Sequence, residues 1–329
     1  MKFGRTFQAM LAILAMATLV INSGTVVRAG TCRAFVGKHG HGGGHLPGGI
    51  ATNYLFTTIV GIPSYGFGPS AFGINDEGVA SGFYPDSSGF IHGFLARDGL
   101  AVTVNAPGDW ADTYLGGIND SGVVVGNYDD DLTVSHATLY KPLDDRWIEL
   151  PDIPGIPLNY GNGINNFGFV VGAAYEGTPT DYTNGVGWLW DGRSYSFIEV
   201  PGSSGTDYGT YAAGINDEGV VVGYYQDSAG VIHGFLKRGP TLTTLDVPGA
   251  DNTLAVGIND EGDVVGVYYL GAVSYGFIQH AGDFVTVDVP GAASTQIYGI
   301  NNLGQISGSY LDTAGNWYGF TGTPVRQRP

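Results

Sequence analysis

Apolar and polar positions along this chain follow a short rhythm that repeats. In residues 214–225, GINDEGVVVGYY, an apolar start is broken by a polar NDEG and followed by a run of valines. Nearly the same phrase stands at 73–84, GINDEGVASGFY, and at 117–128, GINDSGVVVGNY. GIN opens the phrase at 73, 117, 163, 214, 257 and 299, with spacings of 44, 46, 51, 43 and 42. Each GIN leads into a turn: NDEG at 75–78, 216–219 and 259–262, NDSG at 119–122, NNFG at 165–168 and NNLG at 301–304. Asn suits the first position of a type I turn, where its side chain bonds the backbone ahead, and Gly suits the left-handed position that follows. The phrase therefore predicts a strand, a three-residue hairpin with a bulge, and a second strand. Its Asp and Glu are expected to serve the turn and not catalysis.

Each repeat continues in the same way. In the fourth, VVVGYY is followed by the polar loop QDSAG, a third short strand IHGFL, and a fourth, TLTTLDVPGA, ended by Pro-Gly. Val220, Val221 and Val222 are apolar on both faces of their strand, which fits sheets packed between other sheets. Four strands per unit at this period is the pattern of a β-propeller blade. The ends of the chain carry the ring further. The last repeat has QIYGINN, GQISGSY and NWYGFTG but no fourth strand, while LFTTIVGIPSYG at 55–66 resembles the fourth strands TLTTLDVPGADN and FVTVDVPGAAS. The expectation is an all-β, six-bladed β-propeller of four-stranded antiparallel blades. Its N-terminal strand completes the last blade, placing 55–62 beside 316–321. Closure removes the sheet edges that an open β-solenoid, the alternative, would have to cap.

Composition adds an address. Lys2 and Arg5 precede an apolar run from Ala9 to Ile21, and Val27-Arg28-Ala29 offers small residues at a cleavage site. That run is too short to span a bilayer, so residues 1–29 read as a signal peptide and the protein as secreted or displayed at the cell surface. No later stretch reads as a membrane span. Cys32 is the single cysteine, which excludes an intrachain disulfide. Thr31 before it does not fit a lipidation site. Residues 30–52 form a Gly/His-rich linker in which His39, His41 and His45 are a weak candidate for chelating a metal. The propeller is expected over 53–322, with a tail at 323–329. Formal net charge is −17 and becomes −20 without the first 29 residues. Such a surface repels nucleic acid and leaves cations, sugars and basic proteins as partners. A monomer is expected.

The repeat unit, GIND-x-G-x-VVG-x-Y-x-D followed by HGFL and F-x-T-x-DVPGA, resembles the HAF family of extracellular repeats in secreted bacterial proteins, over about residues 54–322. The family's His-Ala-Phe reads HGF at 92–94 and 233–235, HAT at 136–138, and YGF at 275–277 and 318–320. Repeat three, with VGW at 186–188, departs most from it. The resemblance implies secretion and a propeller-like fold, and implies no particular activity.

His92, His136 and His233 hold equivalent places in three repeats. Equivalent strands of different blades lie far apart, so these histidines read as packing positions with a hydrogen-bonding tip, and not as one zinc site. The loops after the second and fourth strands share one rim of a propeller. That rim collects Tyr84, Asp86, Tyr128, Asp130, Tyr175, Glu176, Tyr225, Asp227, Tyr269, Tyr310 and Asp312 from the second strands, and Trp110, Asp112, Tyr114, Asp207, Tyr208 and Asp251 from the fourth-strand loops. Aromatic faces stack on sugar rings while carboxylates accept from hydroxyls. Recurring Tyr and Asp have a second reading as parts of the blade itself, which makes the non-recurring Trp110, Asp112, Asp207 and Tyr208 the better candidates for specificity. The run Asp129, Asp130, Asp131 is a weak candidate for Ca²⁺ and lacks the alternating order of a calcium loop; no other cofactor is expected. The chain has no G-x-S-x-G elbow, no H-E-x-x-H and no phosphate loop. The leading expectation is a non-catalytic propeller that binds an extracellular polysaccharide or protein through this rim. A hydrolase of glycans or lactones and a structural surface protein are the alternatives.

Overall fold

The computed structural model describes residues 53–108, 112–130, 134–156, 158–178, 181–204 and 209–325. The segment 1–29 expected to be a signal peptide, Cys32, the expected linker with His39, His41 and His45, Trp110, Asp131, Asp207, Tyr208 and residues 326–329 lie outside them. Among the described residues the regular elements are β-strands, in the succession that the turn signals predict. Strand β1 (Tyr54–Thr58) precedes the repeats. Repeat one supplies β2 (Ser70–Ile74), β3 (Ala80–Pro85), β4 (Ile91–Arg97) and β5 (Leu100–Val104). Repeat two supplies β6 (Thr113–Ile118), β7 (Val124–Asp129), β8 (Ser135–Lys141) and β9 (Arg146–Glu149). Repeat three supplies β10 (Leu158–Ile164), β11 (Val170–Thr178), β12 (Asp181–Trp190) and β13 (Tyr195–Ile198). Repeat four supplies β14 (Thr210–Ile215), β15 (Val221–Gln226), β16 (Ile232–Arg238) and β17 (Thr241–Leu245). Repeat five supplies β18 (Asn252–Ile258), β19 (Val264–Leu270), β20 (Val273–His280) and β21 (Asp283–Val287). Repeat six supplies β22 (Ser294–Ile300), β23 (Ile306–Leu311) and β24 (Trp317–Pro324).

The sheets are arranged as a β-propeller. Repeats one, four and five each form a four-stranded sheet in chain order. Repeats two and three share one eight-stranded sheet through a single parallel pairing of Leu158 with Ser135. The sheet of repeat six has the order β1-β24-β23-β22. There β1 lies antiparallel to β24, from Tyr54 opposite Pro324 to Thr58 opposite Phe320, and Ile59 N donates to Gly319 O (2.8 Å). The final strand thus runs past the expected boundary at 322. Apolar faces of neighbouring sheets meet: Val220, Val222 and Leu245 of repeat four pack with Ala255, Ile258, Val264 and Phe277 of repeat five. Burying both faces is why the middle strands carry no wet side.

The turns form as their residues dictate. Asn75 Oδ1 accepts from Val79 N (3.0 Å), Asn75 N donates to Val79 O (3.1 Å), and Gly78 takes the left-handed φ of 74°. The same asparagine does more than turn the chain. Asn75 Nδ2 donates to the carbonyl of Asn119, Asn119 to Asn165, Asn165 to Asn216, Asn216 to Asn259, Asn259 to Asn301, and Asn301 to Asn75, all at 2.8–3.2 Å. A second circuit lies one residue on. Backbone N–H groups donate from Asp76 to Asp120, Asp120 to Asn166, Asn166 to Asp217, Asp217 to Asp260, Asp260 to Asn302, and Asn302 to Asp76, each to a side-chain oxygen at 2.8–2.9 Å. Asn166 Nδ2 also donates to Asp120 and Asp217, and Asn302 Nδ2 to Asp76 and Asp260. The glycine of GIN sits where these strands crowd the axis. A Cβ on Gly214 would stand 2.7 Å from Val256 O and 3.2 Å from Gly257 Cα, a contact that only glycine avoids.

The asparagines are buried, so a truncated one leaves donors and acceptors unpaired inside the protein. Asn216→Ala removes the partner of Val220 N and of Asn259 O and should cost roughly 2–6 kcal/mol, at about 1–3 kcal/mol per orphaned buried group. Glu218→Ala, which breaks only the exposed pair with Arg238 (2.7 Å), should cost under about 1 kcal/mol. Urea unfolding of the two variants against the parent chain measures both, and equal midpoints would overturn the structural role given to the asparagine.

Candidate functional site

The recurring rim residues are engaged within their own repeats. Tyr84, Tyr225 and Tyr310 each share a hydrogen bond with a fourth-strand hydroxyl: Thr103 (2.7 Å), Thr244 (3.3 Å) and Thr58 (3.1 Å). Thr58 belongs to β1, so that strand supplies the group that β5 and β17 supply elsewhere. Tyr128 donates to Glu149 (3.0 Å). Each of these rings lies on the third-strand residue at the expected packing position: Tyr84 on His92, Tyr128 on His136, Tyr225 on His233 and Tyr310 on Tyr318, with centroids 5.1–5.4 Å apart. Asp86, Asp130, Asp227 and Asp312 each accept from backbone N–H groups of the loop that they open. The first three also face the histidine of their repeat at 3.3–3.4 Å. Asp129 accepts from Ser135 Oγ, away from the partners of Asp130. In the fourth-strand loops Asp112 accepts from Ile91 N (2.9 Å) and Asp251 from Gly271 N (2.7 Å). Desolvation pushes the Asp112 carboxyl up, against the hydrogen bond from Ile91. These residues tie loops together. Tyr114 and Tyr269, expected on the rim, instead line a cavity on the axis, and Tyr175 is buried in the apolar cluster beside it.

On the axis is a cavity of about 130 Å³. Its floor is the isoleucine layer of the GIN phrases, Ile74, Ile118, Ile164, Ile215, Ile258 and Ile300, directly over the asparagine circuit. Its walls are first strands and the axis-facing residues of second strands. Phe72 is stacked between Phe83 (centroids 5.0 Å, 12°) and Tyr298 (4.4 Å, 8°). Tyr211 stacks on Tyr224 (4.7 Å, 13°) and donates to Asn162 Oδ1 (2.8 Å). Tyr298 donates to Gln296 Oε1. Burial pushes the phenols of Tyr211, Tyr269 and Tyr298 far up, so these hydroxyls keep their protons at physiological pH. Among the described residues, those lining the cavity include no carboxylate, histidine, lysine or arginine. One lining group stands out. Asn127 is 2% exposed, and its Nδ2 makes no hydrogen bond.

Sequence reasoning placed the aromatics on the rim and missed Phe72, Asn127, Tyr211 and Tyr298. A signal for part of this was present. Strand side chains alternate between faces. The residue after the second-strand glycine therefore points to the axis. It reads Phe83, Asn127, Ala173, Tyr224, Val267 and Ser309, changing from repeat to repeat.

No family model matches this chain, and no curated protein matches it. Solved structures do. TolB from Acinetobacter baumannii aligns at a TM-score of 0.51 and 13% identity, over 76% of this chain and 64% of that one, so this chain matches under two thirds of that protein. A triple arginine-to-alanine mutant of AofleA from Arthrobotrys oligospora aligns at 0.51 and 13% identity, over 80% of this chain and 90% of that one. At such identities the likeness is one of fold. A looser likeness, TM-score 0.48 at 12% identity over 82% of this chain and 91% of that one, is to the Aleuria aurantia lectin, whose structure is described as a six-bladed β-propeller with a fucose recognition mode.

The rim histidines predict a pH dependence. Desolvation lowers the pKa of His233, but hydrogen bonds and charge from Asp246 (2.8 Å) and Asp227 outweigh it and raise the group above 6.5. Asp227 moves the other way, held below 3.8 by the loop N–H groups of Val231 and Ala229, against slight desolvation, and by His233. A raised histidine stabilises the fold below its ordinary value and loses that contribution as pH rises through the folded one; a lowered carboxylate contributes above its ordinary value. Both contribute between about pH 3.8 and 6.5. His233→Gln should therefore lower Tm most in that window and little at pH 8. A Tm difference that does not change with pH would remove the ion-pair account.

Proposed function

We propose that this chain is a secreted, six-bladed β-propeller of the HAF type, closed by β1. In this reading it binds a neutral, ring-sized extracellular ligand in the axial cavity, and a single sugar residue of a polysaccharide is the best fit. The observation that carries the reading is the unpartnered Asn127 Nδ2 buried in an aromatic-walled cavity. An unmet buried donor costs about 1–3 kcal/mol, and a ligand acceptor such as a sugar hydroxyl meets it. A cavity of about 130 Å³ is near the roughly 150 Å³ that accommodates one benzene-sized ring, and below the range of larger pockets. Ring faces such as Phe72 and Tyr211 suit the C–H face of a sugar. The absence of ionisable groups from the lining favours a neutral ligand and favours binding over acid–base hydrolysis. Secretion rests on the pattern of residues 1–29, and the HAF assignment on the repeat residues. Six blades and closure are supported by the six GIN phrases, by hydrogen-bond circuits that return from Asn301 to Asn75 and from Asn302 to Asp76, and by the β1–β24 register.

A glycan array followed by calorimetry with neutral monosaccharides tests the binding. Asn127→Ala should weaken binding about tenfold or more while Tm stays level or rises, because the variant removes an unmet donor. Failure of the parent chain to bind any neutral glycan would overturn the reading, and so would unchanged affinity in the variant.

Closure has its own test. A chain beginning at residue 59 exposes the edge of β24 and should melt lower and self-associate, whereas one beginning at residue 53 should behave as the parent does. Two truncations with the same Tm and the same monomeric mass would refute closure by β1.

A further inference from the structure

We propose that repeat two carries a divalent transition-metal site made by His136 Nδ1, Glu149 and Asp152. The three ligand atoms lie within 4.8 Å of one another; Nδ1 is 3.2 Å from Glu149 Oε1 and 4.0 Å from Asp152 Oδ1. Bonds of about 2.0–2.2 Å at a tetrahedral centre put ligand atoms roughly 3.4 Å apart. His136 and Glu149 already stand at that separation. Asp152, 83% exposed, is free to close the rest.

Three further observations point to an ion here. First, His136 Nδ1 is buried and, although it stands 3.2 Å from Glu149 Oε1, makes no hydrogen bond of acceptable geometry. Its counterparts do: His92 Nδ1 pairs with Asn105 Oδ1 (3.2 Å) and His233 Nδ1 with Asp246 Oδ2 (2.8 Å). The register explains the difference. Gly93 faces Val104 and Gly234 faces Leu245, which brings Asn105 and Asp246 opposite the histidines; in repeat two Leu150 N bonds Ala137 O, and Pro151 falls opposite His136. Proline offers no side-chain acceptor. Second, the other ring nitrogen is held. Nε2 lies 3.4 Å from Asp130 Oδ2, the carboxylate–histidine arrangement that fixes a ligating imidazole with its free nitrogen turned to the metal. Third, Glu149 stands where repeats one and four have Thr103 and Thr244, and its second oxygen accepts from Tyr128 OH (3.0 Å), leaving Oε1 for the ion. Repeat two has thus exchanged a hydroxyl and a hydrogen-bond acceptor for two carboxylates around an imidazole.

One nitrogen and two carboxylate oxygens suit Zn²⁺ or a similar first-row ion, with a further position open to water or ligand. Ca²⁺ seeks six to eight oxygens and is the poorer match. The chain's net charge of −17 draws cations to the surface in general, so the test must separate the site from that background and from the histidine linker.

Calorimetric titration of the full-length chain with ZnCl₂, in parallel with E149Q/D152N and H39A/H41A/H45A, does so. Zn²⁺ binding should persist in the linker variant and weaken at least tenfold in E149Q/D152N. That double variant should keep the parent Tm without metal, because Asp152 is exposed, Glu149 is half-exposed, and the Glu149→Gln side chain keeps an oxygen that accepts from Tyr128 OH. Asp130→Asn, a change in a positioning residue, should weaken binding by about 10–100-fold. The proposal is overturned if E149Q/D152N binds Zn²⁺ as the parent does, if H39A/H41A/H45A abolishes all binding, or if Ca²⁺ competes at equal concentration.

Discussion

The structure depends on the asparagine of GIN. Its side chain performs two tasks that pull in different directions in space: Oδ1 closes the turn within its own repeat, and Nδ2 grips the backbone of the next. Because the donor reaches forward by one repeat each time, the six bonds form a circuit. A buried amide can make few other bonds there, so each link is strongly specified. The same circuit sets how near the first strands come to the axis, and the contact around Gly214 marks that limit.

The aspartate layer beneath shows how the circuit limits self-repulsion. Four carboxylates and two amides follow the order Asp76, Asp120, Asn166, Asp217, Asp260, Asn302, so that Asn166 lies between Asp120 and Asp217, and Asn302 between Asp260 and Asp76. Each amide donates to both neighbours. Six aspartates would pack like charge around a narrow opening. The NNFG and NNLG turns, which look like worn copies of NDEG, are therefore the members that make the other four tolerable.

The sheets and the site use different residues. What recurs serves the repeat: the tyrosine under the third-strand ring, the aspartate that opens the loop, and the threonine that meets the tyrosine hydroxyl. What varies faces the axis or breaks a local pattern. Asn127 follows a glycine where other repeats carry Phe83, Tyr224 or Val267, and Glu149 replaces a threonine. Candidate chemistry in this protein lies in departures from the repeat, and repeat two holds both.

The sequence by itself determined the local structure. Period, turn residues and alternation were enough to fix strand order, the left-handed glycines and the pairing of β1 with β24, since each follows from contacts within a repeat or from one missing strand. The tyrosine and histidine positions were legible as packing for the same reason. The tertiary structure alone decided which aromatic faces which. Whether a strand residue points to the axis or to the next sheet depends on the bulge before each GIN, which shifts register by one residue and reverses the sides. The meeting of His136 with Glu149 and Asp152 likewise joins residues from a third strand, a fourth strand and the loop after it. Glu149 follows His136 at the spacing of 13 by which Asn105 follows His92 and Asp246 follows His233, but how each acceptor meets its imidazole is set by the register of the third strand against the fourth, which differs in β8 and β9.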